Sequence, residues 1–150
     1  MADVSRRDFL QRSMTGTAQT ILGTTALAAG PLGQQIRLEV HGQCSWLPVI
    51  RQIMEIADDP NVGVCWNCNA QDLQGMGLEH NFNLVKDRFG ATAHVRELNM
   101  GDYPYQRLIG LFAKMDYAGW ILLECHTKPE EGVRALIEQR EAFERMVGAA

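Results

Sequence analysis

From residue 36 onward the chain alternates short apolar runs with longer amphipathic stretches. The runs at 36–41, 62–67, 93–98 and 120–124 carry apolar residues at alternate positions (Leu38 and Val40, Val62 and Val64, Ala93 and Val95, Ile121 and Leu123), the period of a strand. Between and after them, apolar residues recur at steps of three and four. Val49, Ile50, Ile53 and Ala57 form one such stripe, and Leu78, Phe82, Val85 and Phe89 a second. Tyr105, Leu108, Ile109 and Phe112 form a third, and Val133, Leu136, Ile137, Phe143 and Val147 a fourth. Each stripe predicts the inward face of a helix, over 46–57, over 78–89, after Asp102, and over 128–147. Punctuation agrees: Ser45 and Asp102 stand at cap positions, Pro48 and Pro104 fall in first turns, and Gly90 is a stop. Thr127 and Glu130 have capping-box spacing around Pro129. Strand–helix alternation with short connections predicts an α/β fold of four right-handed parallel βα units.

Alternation along a strand also sorts chemistry. If Glu39, Asn67, His94 and Glu124 share a face, then Arg37, His41, Cys65, Arg96 and Trp120 lie on it too. Leu38, Val40, Val64, Val95, Ile121 and Leu123 then face the helices. The four leading polar residues are spaced 28, 27 and 30 apart, close to the roughly 30 residues of one βα unit in a (β/α)8 barrel. Two carboxylates, an amide oxygen and an imidazole at strand ends suit a divalent ion such as Mn, Co, Zn or Mg.

Composition narrows the partners. The 150 residues carry a net charge of −4, enough chain for one core and little attraction for nucleic acid or an anionic membrane. Residues 5–10 (Ser5, Arg6, Arg7, Asp8, Phe9, Leu10) resemble a twin-arginine export signal. No charge follows from Ser13 to Ile36, and Ala26 and Ala28 flank Leu27 as a small-x-small cleavage site. The expected organisation is a signal peptide over 1–28, a linker over 29–35 and a domain over 36–150, exported to the periplasm or beyond the cytoplasm without a stable membrane anchor. Cys44, Cys65, Cys68 and Cys125 can pair in such a compartment. Cys65 and Cys68 form a C-x-x-C that also admits a redox reading, or a zinc site with Cys125 and His126.

The segments around Glu39, Asn67, His94 and Glu124 resemble strands five to eight of the sugar phosphate isomerase/epimerase family, which are xylose-isomerase-like TIM barrels. The resemblance covers residues 36–147. It implies that Glu39, Asn67, His94 and Glu124 bind a divalent metal and that Glu39 and Glu124 move a proton beside a carbonyl. His41 and Arg96 would then contact a small carbohydrate substrate. The family's second metal position is usually Asp, and here it is Asn67; strands one to four have no counterpart. The resemblance therefore implies a half-barrel, paired with itself or with a complementary chain. The alternative is a non-catalytic sugar- or metal-binding half-barrel, or an inactive truncated homologue.

Overall fold

A computed structural model describes residues 33–150; the export-signal reading lies outside them. The described chain is mixed α/β. It runs β1 (Ile36–Glu39), α1 (Leu47–Ala57), β2 (Val62–Cys65), α2 (Leu78–Val85), β3 (Thr92–Val95), α3 (Tyr105–Lys114), β4 (Trp120–Leu123) and α4 (Gly132–Gly148). Short 3-10 turns occupy Gly42–Cys44, Ala70–Leu73 and Lys86–Arg88. β1 lies parallel to β2 with Ile36 beside Val62, and β3 parallel to β4 with Thr92 beside Trp120. Two backbone hydrogen bonds join the pairs, Gly90 N to Val64 O at 2.8 Å and His94 N to Trp66 O at 2.7 Å.

The strands are brief because the chain beyond each is used for other contacts. The predicted run 93–98 stops at Val95, since Leu98 N–H donates to the Gln139 side chain at 2.6 Å and not to a ladder. At the other end of the strands, Arg88 donates to the carbonyls of Met54, Asp59 and Val62 at 2.8, 3.0 and 2.9 Å. One guanidinium thus ties the end of α1 to the start of β2. Gly63 is required there: a Cβ on it would sit 3.0 Å from the backbone of Gly90.

Helix-facing strand residues and the predicted stripes of α2 and α3 build the core, while α1 buries Leu47, Ile50 and Met54 and leaves the predicted Val49 exposed. Val40, Val64, Trp66, Ala93 and Val95 are buried against Leu47, Ile50, Phe82, Leu108 and Phe112. Trp66 is fully buried, with its ring 5.6 Å from Phe82 and 6.0 Å from Phe89 between centroids.

The fourth helix differs from its prediction. It begins at Gly132, four residues late, and Glu131 precedes it without a side-chain cap. The Thr127–Glu130 capping box does not form, because Thr127 gives its N–H and hydroxyl to Glu97 Oε1 at 2.8 and 2.7 Å. Nor do Ser45 and Asp102 cap: Trp46 and Pro104 hold those positions. Gln139 and Ala142 are buried, while Val133, Leu136, Ile137 and Val147 are exposed. α4 meets α3 through its buried side and turns much of its apolar stripe outward.

Candidate metal centre

The C-terminal ends of the four strands bring the predicted polar residues together. Asn67 follows β2 and is fully buried. Its Nδ2 donates to Glu39 Oε1 and to Glu124 Oε2, both at 2.9 Å. His41 Nδ1 lies 3.3 Å from the same nitrogen. An amide nitrogen has two hydrogens, and the carboxylates take both at better distance, so His41 is a loose third neighbour. His94 Nδ1 stands 2.9 Å from Glu39 Oε1, a contact in which the ring N–H donates to the carboxylate. Glu39, His94 and Glu124 each offer a donor atom, and these atoms lie within 4.8 Å of one another.

The fit to a cation rests on one atom. Asn67 Oδ1 is buried and has no hydrogen-bond partner, a state that costs roughly 1–3 kcal/mol. A half-turn of the amide exchanges Oδ1 and Nδ2. The oxygen would then face two carboxylates, which repel it in the absence of a cation and share a cation with it when one is bound. His94 can serve as a ligand through whichever ring nitrogen carries no proton, and with Nδ1–H held on Glu39 that nitrogen is Nε2.

Arg96 is placed elsewhere. No hydrogen bond or ion pair joins it to Glu39, Asn67, His94 or Glu124 among the described residues, and its Nε is buried without a partner. Its charge instead acts on Asp72 and Tyr105.

The C-x-x-C pair lacks the chemistry of a reactive dithiol. Burial pushes the Cys68 thiol up to about 12 and raises Cys65 as well, the reverse of an activated thiolate. Cys125 and His126 are exposed on the loop after β4, and all four cysteines are free.

Two carboxylates missed from sequence support the site. Glu97 Oε1 accepts from His126 N, Thr127 N and Thr127 Oγ1 at 2.9, 2.8 and 2.7 Å. This holds the loop that leaves Glu124. Burial alone would raise its pKa; the Thr127 hydroxyl and the surrounding N–H groups outweigh burial and hold it at about 2. Asp72 is fully buried and accepts from Asn69 N and the Tyr103 hydroxyl, each at 2.7 Å. Asn69 in turn donates to the Val40 and Asn67 carbonyls at 2.6 and 3.0 Å, fixing the backbone that carries Asn67. The Asn69–Asp72 spacing of a capping box was the available signal.

Asp72 makes stability depend on pH. Burial raises its pKa from 3.8 to about 6, against the opposing pull of Asn69 N–H, Tyr103 and Arg96. The folded state therefore binds its proton more tightly than the unfolded chain. The resulting stabilisation is complete below about 3.8 and is lost as pH rises through about 6. Asp72→Asn mimics the protonated acid and should gain stability over the wild type at pH 7–8, by up to about 3 kcal/mol. The gain should vanish below pH 4. Glu97 has the opposite sign: its stabilisation is present above about 4.5 and lost as pH falls toward 2. Both chains share that loss, so the difference between their urea midpoints across pH isolates Asp72. A pH-independent difference would rule out this account.

No family model matches the chain, and neither a curated protein nor a solved structure matches it.

Proposed function

We propose that Glu39, Asn67, His94 and Glu124 form the divalent-metal centre of a sugar isomerase or epimerase, built on four parallel βα units that constitute half of a (β/α)8 barrel. The observation that carries this reading is the single amide of Asn67 bridging two carboxylates, one of which also binds His94. Such a cluster of acids at parallel-strand C-termini is where barrels of this architecture do their chemistry. The twin-arginine-like segment supports a location outside the cytoplasm.

A bound divalent ion would supply polarisation of a substrate carbonyl or hydroxyl oxygen. The remaining steps belong to the chain. Asn67 holds Glu39 and Glu124 together and His94 orients Glu39, with the donor atoms of Glu39, His94 and Glu124 within 4.8 Å of one another. One glutamate takes a proton from the carbon beside the carbonyl, and the other returns a proton, to the neighbouring carbon for isomerisation or to the opposite face for epimerisation. His41, exposed and beside Asn67, is available to substrate hydroxyls. Arg96 contributes indirectly, through its charge on Asp72.

Asn67→Asp is the direct test. It replaces a neutral oxygen donor by a charged one in a group that contains two carboxylates. With a metal, the variant should bind Mn, Co, Zn or Mg more tightly by about 1–3 kcal/mol, roughly 5- to 150-fold. Without a metal, three carboxylates crowd and the variant should be less stable than wild type. Calorimetric titration of both chains reads the first effect, and denaturation with and without chelator reads the second. If neither chain binds a divalent ion, the metal and enzyme reading is wrong.

A further inference from the structure

The two ends of the strand–helix row are open in matching ways. In a parallel ladder alternate residues address opposite neighbours. Ile36 and Val40 donate toward β2, so the backbone of Arg37 and the N–H of Glu39 point out of the far side of β1. Trp120 and Glu124 donate toward β3, so the backbone groups of Ile121 and Leu123 point out of the far side of β4. Among the described residues both outer edges are thus unpaired ladders of the same strand direction.

The helices repeat the match. Viewed down α4, the side that meets α3 and the core carries Ala135, Gln139 and Ala142, and the flank turned away carries Val133, Leu136, Ile137 and Val147. Val133 is 76% exposed. A gap of about 550 Å³ lies along this helix, walled by Leu123, Val133 and Leu136. At the other end of the row, Ile36 at the start of β1 is 72% exposed, and α1 leaves Val49 and Ile56 in solvent. Inside, Trp120 is 73% exposed on the face that carries Glu124.

We propose that a second copy of this chain closes the row, by a two-fold axis along the strands that sets β4 of each copy beside β1 of the other. The inference rests on the half-barrel reading above. One operation pairs both open edges twice, brings each α4 flank over the partner's β1 and α1, and leaves no free strand edge. A different protein would have to reproduce both edges of this one. The available area is adequate. At roughly 170 Å² for a large apolar side chain, the exposed parts of the residues named here amount to about 830 Å², matching the ~800 Å² per partner of a standard interface. The dimer also completes the site. Glu39 ends β1 and Glu124 directly follows β4, the two edge strands, so the second copy closes over the partly exposed Glu39 and His94 side chains.

The test uses the full chain in chelator, read by sedimentation equilibrium. The wild type is expected at twice 16.8 kDa. Ile36→Lys alters the β1 edge, and Leu136→Glu with Ile137→Glu alters the α4 flank, all at exposed positions. Each variant should keep its far-ultraviolet spectrum and associate about 10-fold more weakly or worse. An equimolar mixture of the two should recover dimer, because one of the two interfaces is then wild-type on both sides. A folded wild-type monomer, assembly beyond two chains, or a mixture that stays monomeric would overturn the proposal. Metal titration is separate: a metal-free dimer removes only the metal reading, and a metal-binding monomer removes only the dimer.

Discussion

Glu124→Gln is expected to leave the fold intact, weaken divalent-metal binding by more than about 100-fold, and stop exchange of a sugar's carbon-bound proton with solvent deuterium. The amide is isosteric with the acid and can still meet Asn67, now through its carbonyl oxygen as acceptor from Nδ2, so the hydrogen bond at 2.9 Å survives. What disappears is a charge facing the ion and a base able to carry a proton. His94→Ala should match the loss of metal by removing a different donor of the same group. His126→Ala, on the exposed loop two residues beyond Glu124, should change neither property. The readouts are calorimetry and the deuterium content of an aldose or ketose incubated with the protein. Exchange that persists at the wild-type rate in the Gln variant would remove Glu124 from the chemistry.

Trp66→Ala should be the most costly single truncation in the core. The indole is fully buried, and Phe82 and Phe89 pack on it at tilted and edge-on angles. Those rings continue the cluster to Phe112 and Tyr117. Truncation therefore leaves a cavity at one end of an aromatic network that links β2, α2 and α3. A loss of about 3–5 kcal/mol is expected, a large share of the 5–15 kcal/mol typical of a whole domain. Urea unfolding followed by far-ultraviolet circular dichroism measures it. A loss below about 1 kcal/mol would mean that the ring does not organise this core.

The period of two was enough to foresee that Glu39, Asn67, His94 and Glu124 converge, because each of the two parallel strand pairs carries these residues at its C-terminal end. It failed at Arg96, whose charge acts on Asp72 and Tyr105 and not on the four converging groups. The stripes of the second and third helices were legible since each has a sheet face beneath it; in the first, Ile50 was placed correctly, but Val49 is exposed and Leu47 and Met54 take the inner positions. The fourth was misread: Val133, Leu136 and Ile137 have helical spacing, but spacing does not tell a helix's inner side from a flank beside an open edge. The start of α4 was unreadable for a related reason. Thr127 has the sequence of a cap, and only the arrival of Glu97, 30 residues earlier in the chain, diverts its hydroxyl. Asp72 and Glu97 act through loops that meet only in the folded molecule, and a one-dimensional pattern carries no trace of such meetings.

The seam between the two strand pairs has a thermodynamic consequence. Two backbone hydrogen bonds carry it, from Gly90 to Val64 and from His94 to Trp66. Glu39 and Asn67 belong to the first pair, and His94 and Glu124 to the second. The convergence of the four groups and the docking of the two pairs are therefore linked quantities, and linkage is reciprocal. Any ligand that draws the four groups together tightens the docking. Any substitution that loosens the docking, as far away as Gly63 or Phe89, lowers affinity at the strand ends to the extent that it populates the undocked state, and by no more than the docking free energy it removes.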